Sequence, residues 1–117
     1  MKLNHLDLSV PDLDAAIDFF VAGFNFTVMV KREADGMAVL RGDDGFGLVL
    51  TRDAAPQYPP AFHIGFLQPS ARAVTEAYER IVAAGIAPLG EPALSFGAML
   101  FYCRVPGGVL VEVSHRA

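Results

Sequence analysis

Two of the three histidines in this 117-residue chain, His5 and His63, stand 58 positions apart, and each precedes a proline, Pro11 or Pro69, by six residues. The offset is about half the chain, so the imidazoles occupy equivalent places in two copies of one unit, a recurrence that governs how everything else is read. Each lies in an alternating run. In "LNHLDLSV" His5, Asp7 and Ser9 share one face while Leu6, Leu8 and Val10 share the other; in "AFHIGFLQ" His63 falls with Gly65 and Leu67, opposite Phe62, Ile64 and Phe66. A third run, "VLVEVSH", sets Glu112 with Leu110 and Ser114, opposite Val109, Val111 and Val113. Two neutral imidazoles and one ionised carboxylate from separate strands form a set that holds a divalent metal and leaves positions open for water or substrate. Taken singly, each residue also fits an ordinary place in a half-buried strand. Together they line one concavity if the two units curl towards each other.

The elements that must position these residues follow from periodicity. A strand over Leu3–Val10 leads to Asp12, which opens a helical pattern with Leu13, Ala16, Ile17 and Phe20 on one face, stopping near Gly23. Strands follow at Asn25–Arg32, Met37–Gly42 and Gly47–Arg52, separated by "EADG" and "DDGF", whose Asp-Gly pairs mark turns. A Pro-rich connector, Ala54–Pro60, cannot continue a strand interior. The order then recurs. Ala61–Gln68 alternates as a strand, and Ser70 caps a helix with Val74, Ala77, Tyr78, Ile81 and Val82 on its apolar face, ended by Gly85. A short strand near Ala87–Gly90 and strands at Met99–Val105 and Val109–His115 complete it, with Pro106-Gly107-Gly108 turning the last pair. The expectation is an α+β domain of two βαβββ modules, about residues 1–53 and 61–117, forming a cup-shaped, partly open eight-stranded sheet with the helices on its outer face.

Composition narrows the function. Hydrophobic residues at 53% and charged residues at 19% describe a globular chain, without the charge excess of a disordered one. A net charge of −4 with scattered basic residues excludes a nucleic-acid footprint. No apolar run approaches the roughly 18 residues of a membrane span, and a first strand starting at residue 3 leaves no room for a signal peptide, so a cytoplasmic protein is expected. Cys103 is the only cysteine, which rules out an intrachain disulfide and a thiolate zinc cluster.

The stretch "NHLDLSVPDLDAAIDFF", the recurrence at "FHIGF" and the closing "FYCRVPGGVLVEV" resemble the vicinal oxygen chelate superfamily, which includes glyoxalase I, bleomycin-resistance proteins, fosfomycin-resistance enzymes and extradiol dioxygenases. The resemblance covers essentially the whole chain. It implies paired βαβββ modules around a metal or ligand, with the metal positions falling on His5, His63 and Glu112 and the ion being Fe(II), Mn(II), Ni(II) or Zn(II). Several departures matter. The extra fourth-strand glutamate of glyoxalase I has no counterpart in "GLVLT", so true glyoxalase I activity is not expected. The threonine that fosfomycin-resistance enzymes carry two residues after the first histidine is Asp7 here, and their lysine-bearing loop is "GEPALSFG". Extradiol dioxygenases share a tyrosine ten residues before the ligand glutamate, the position of Tyr102, but their catalytic histidine is missing between Ala93 and Leu100.

Tyr102 can donate a hydrogen bond to a bound oxyanion or pack at the sheet edge. Asp7 can act as a base near the metal or hydrogen-bond locally, and Arg104 can bind a substrate carboxylate or pair on the surface. Phe46, Phe96 and Phe101 are candidates to line an apolar ligand pocket, while His115 is expected to be an exposed residue near the C-terminus. The resemblance implies a small-molecule substrate with two adjacent oxygens, turned over by dioxygenase-, isomerase- or lyase-type chemistry. The alternative is a metal-free binding protein of the bleomycin-resistance kind. A homodimer is expected, with the site completed within one chain or by exchange of modules between two.

Overall fold

Asp12 and Ser70 decide where the two helices begin. In the computed structural model, which describes residues 1–116, the Asp12 carboxylate accepts from the Ala15 N–H at 3.0 Å and starts helix α1, Leu13–Phe24. The Ser70 hydroxyl accepts from the Ala73 N–H at 3.1 Å and starts α2, Ala71–Ala83. Each cap satisfies a backbone donor that the first helical turn leaves unpaired. Helix α1 runs past the expected stop, because Gly23 is buried within it and Asn25 takes the left-handed capping conformation instead, at φ 59°. Both Asn25 and Phe26 donate backbone N–H groups to the Phe20 carbonyl, while the rings of Phe20 and Phe26 meet edge to face at 5.4 Å. The cap is thus closed by an apolar contact as well as by hydrogen bonds.

The chain forms two compact units, Met1–Gln57 and the residues from Tyr58 onward; Ala117, the last residue of the expected second module, lies outside the described residues. The first unit contains β1 (His5–Val10), α1, β2 (Thr27–Arg32), β3 (Met37–Arg41) and β4 (Gly47–Arg52), in sheet order β1-β4-β3-β2. The second contains β5 (His63–Leu67), α2, β6 (Ala93–Ser95), β7 (Ala98–Arg104) and β8 (Leu110–Arg116), in order β5-β8-β7-β6. In both, the first strand pairs parallel with the last and the remaining ladders are antiparallel. The repeat seen in the histidine spacing is therefore a repeat of topology. The α+β class and the two βαβββ modules are as expected.

Each unit buries the face the alternation assigns to it. Leu8, Val10, Leu13, Ala16, Phe20, Ala38, Leu40, Leu48 and Leu50 form the first core. Val74, Ala77, Ile81, Phe101, Cys103, Val111 and Val113 form the second. The α2 stripe is narrower than its sequence suggests, since Val82 is exposed and Tyr78 only half-buried. Strand β2 is exposed along its whole length as a sheet edge, and a register shift between Val28 and Val30 interrupts its pairing with β3, which blunts an edge otherwise open to another strand.

The sixth strand is not at Ala87–Gly90. That stretch makes only one bridge, Pro88 with Cys103, and one hydrogen bond from Leu89 N–H to the Tyr102 carbonyl at 2.8 Å. Pro88 has no N–H to extend a ladder and Gly90 turns away at φ 142°, so regular pairing resumes only at β6. No helix of the described residues is long and apolar enough to cross a membrane.

Candidate active site

The second unit assembles a polar cluster from three elements. His63 opens β5 with its ring half exposed, and its Nδ1 lies 2.9 Å from the Ala61 carbonyl. A carbonyl only accepts, so Nδ1 is the donor. In the neutral ring this leaves a lone pair on Nε2. That nitrogen stands 3.9 Å from Oε2 of Glu112, which is 9% exposed on β8. Tyr102, directly opposite Glu112 in the β7–β8 ladder, donates its hydroxyl to Oε1 at 3.2 Å. Desolvation pushes the Tyr102 phenol above its ordinary value, and the Glu112 charge and hydrogen bond push it further, so it is a donor throughout the neutral range.

A nitrogen lone pair and a carboxylate oxygen facing each other constitute a donor set for a cation. Each is held from behind, the imidazole by a backbone carbonyl and the carboxylate by a phenol, which is how metal ligands are oriented by their outer partners. The chemistry of the pair fits a divalent metal. Among the described residues, no three His, Cys, Asp or Glu side chains are gathered as a metal-holding group.

The first unit carries His5 and Asp7. His5 is exposed on β1, paired with Gly47, where an added Cβ would lie 3.6 Å from the His5 Nδ1. Asp7 accepts from the Thr51 hydroxyl at 2.8 Å across the β1–β4 ladder, so one of its oxygens is engaged locally. By register, the first-unit counterparts of Tyr102 and Glu112 are Val39 and Val49, which also pair with each other. Only one copy of the repeat holds the carboxylate and its phenol.

The remaining candidates separate. Arg104 is exposed and donates to the Gly108 carbonyl at 3.0 Å, which ties it to the β7–β8 turn. Phe46 is half-buried in the turn before β4, its N–H bound to the Asp44 carboxylate at 3.0 Å. Phe96 is fully exposed at the β6–β7 hairpin tip. Phe101 is corrected from its expected place in a ligand pocket. It is 2% exposed and meets Tyr78 of α2 edge to face at 5.5 Å, on the sheet face opposite Glu112. His115 is half-buried rather than exposed, with Nδ1 3.0 Å from the Gln68 carbonyl.

Two participants escaped the sequence reading. The Ala61 carbonyl that sets the His63 tautomer has no signal in residue type. Ser114, fully buried with a hydroxyl that has no hydrogen-bond partner among the described residues, had one: it shares a face with Glu112. The Tyr102–Glu112 pairing was also legible, because a turn closed by Val105 and Val109 places Arg104 opposite Leu110 and Tyr102 opposite Glu112.

Comparison with known proteins gives a consistent result. The profile of the Glyoxalase/Bleomycin resistance protein/Dioxygenase superfamily matches residues 2–113. A solved structure from Bacillus cereus described as a possible glyoxalase is 36% identical, with 97% of each chain covered and a TM-score of 0.82. A glyoxylase/bleomycin resistance protein/dioxygenase domain from Frankia sp. EAN1pec shares the fold at 18% identity and a TM-score of 0.83, covering 100% of this chain and 98% of that one. A glyoxalase/bleomycin resistance protein/dioxygenase from Nocardioides does so at 23% identity and a TM-score of 0.77, covering 99% and 83%. Among curated proteins none matches the chain significantly.

Proposed function

The chain belongs to the glyoxalase/bleomycin resistance protein/dioxygenase superfamily, and on that premise we propose that it is a metalloenzyme in which His63 and Glu112, with His5 as the third ligand, hold Fe(II), Mn(II), Ni(II) or Zn(II). The observation that carries this reading is His63, its Nδ1 held by the Ala61 carbonyl, facing Oε2 of the buried Glu112 with its Nε2 at 3.9 Å. Once bound, such an ion supplies Lewis acidity to a small substrate that presents two adjacent oxygens. The chain's own residues do the rest. His63 and Glu112 bind, Asp7 is the candidate proton acceptor, and Tyr102 is the hydrogen-bond donor beside the carboxylate. Phe46, Phe96 and Arg104 are proposed to meet the substrate. The chemistry is of the dioxygenase, isomerase or lyase type, and the working form is a cytoplasmic homodimer.

The superfamily's description also covers bleomycin resistance proteins, and the rival reading is a metal-free protein that sequesters a small ligand. Elemental analysis separates the two. Metal-free protein is incubated with each of the four ions, and wild type is compared with His63→Ala. One ion per chain, lost in the variant, is the expected result; no specific metal in the wild type overturns the proposal in favour of the binding protein.

A further inference from the structure

We infer that Tyr102 is a positioning residue that restricts Glu112 to offering a single oxygen, and so sets which ion the site prefers; this rests on the metal-binding reading above. The two oxygens of Glu112 have different partners. Oε1 accepts the Tyr102 hydroxyl at 3.2 Å, while Oε2 faces His63 Nε2 at 3.9 Å. The carboxylate is 9% exposed, so solvent does not compete freely for either oxygen, and the phenol decides which one is committed. Its grip comes from the ladder itself, because Tyr102 and Glu112 are direct cross-strand partners on one sheet face.

The internal repeat supplies a built-in comparison. Where the first unit has no carboxylate at the corresponding place, Val49, it has no phenol opposite either, and Val39 stands there. Tyrosine and glutamate occur as a pair or not at all. The His63 side is held in the same manner, since the Ala61 carbonyl takes Nδ1 and leaves Nε2 free. Both members of the pair therefore have one donor atom occupied from behind and one presented.

A carboxylate held to one oxygen suits an ion of low coordination number such as Zn(II). Release of Oε1 lets the group bind through both oxygens, which favours an ion that accepts more oxygen ligands, such as Mn(II). The test titrates metal-free wild type and Tyr102→Phe with Zn(II) by calorimetry and with Mn(II) by the loss of the free-ion paramagnetic resonance signal. Phenylalanine keeps the ring and removes only the hydroxyl. The expected result is a loss of about 10–100-fold in Zn(II) affinity, the range for removing an outer partner of a ligand, with Mn(II) affinity changed by less than about threefold. An equal loss for both ions, which a general loosening of the sheet would produce, overturns the inference, and so does no change in either. Wild type that binds neither ion overturns the metal reading itself, an outcome read from the wild-type titrations alone and distinct from failure of the Tyr102 role.

Discussion

Thr51 and Ser114 hold the same place in the two copies of the repeat, and the structure assigns opposite signs to removing their hydroxyls. Thr51 pairs with Ser9 and reaches diagonally to Asp7, donating at 2.8 Å. Ser114 pairs with Leu67, and its diagonal neighbour is Gly65, which has no side chain to accept. The Ser114 hydroxyl is buried without a hydrogen-bond partner among the described residues. An unsatisfied buried hydroxyl costs about 1–3 kcal/mol, whereas a made hydrogen bond contributes about 0.5–1.5 kcal/mol, and less at an exposed site such as Asp7. With an unfolding entropy of roughly 2.1 cal/mol/K per residue, a chain of 117 residues shifts its melting temperature by roughly 4 °C for each kcal/mol. Ser114→Ala is therefore expected to raise the melting temperature of metal-free protein by about 4–12 °C, and Thr51→Val to lower it by about 2–4 °C. Differential scanning calorimetry reads both shifts, and urea midpoints with an unchanged slope verify that the native state alone has changed. A lower melting temperature for Ser114→Ala would refute the reasoning, because it would mean that the hydroxyl makes a stabilising hydrogen bond.

Other consequences are as direct. Phe96 at φ 49° and Gly97 at φ 77° are the central residues of the hairpin between Ser95 and Ala98, a turn that favours Asn-Gly. Phe96→Asn is expected to stabilise the protein by about 1 kcal/mol, the lower end of what such backbone strain costs; a fall in its urea midpoint would contradict this. Burial pushes the Cys103 thiol up to about 11. At pH 8 about one thiol in a thousand is ionised, and a thiol-specific reagent is expected to label the folded protein negligibly until denaturant is added. Because the folded value is raised, its contribution to stability is complete below the ordinary thiol range and is lost as the pH rises through about 11. Rapid labelling of native protein at pH 8 would show that the Cys103 strand opens locally.

The sequence by itself determined what depends on neighbours along the chain. Alternation at His5, Asp7 and Ser9, the capping residues Asp12 and Ser70, and the six-residue distance from each histidine to its proline are local or periodic signals. They suffice for two βαβββ modules and for the face on which each polar residue lies. Even the Tyr102–Glu112 pairing follows once the turn between them is located. Tertiary structure decided the rest, because it depends on atoms brought together from distant positions. Whether the α1 cap falls on Gly23 or Asn25 was settled by the buried Phe20 and Phe26 rings. The sixth strand went to Ala93–Ser95 because β7 offered its ladder there and Pro88 could not use it. Phe101 belongs to the core because α2 covers its face of the sheet, a choice that alternation leaves open. The tautomer of His63 and the free oxygen of Glu112 are hydrogen-bond choices, made by the Ala61 carbonyl and the Tyr102 hydroxyl, and no pattern of residue types encodes which of two equivalent atoms a neighbour will occupy.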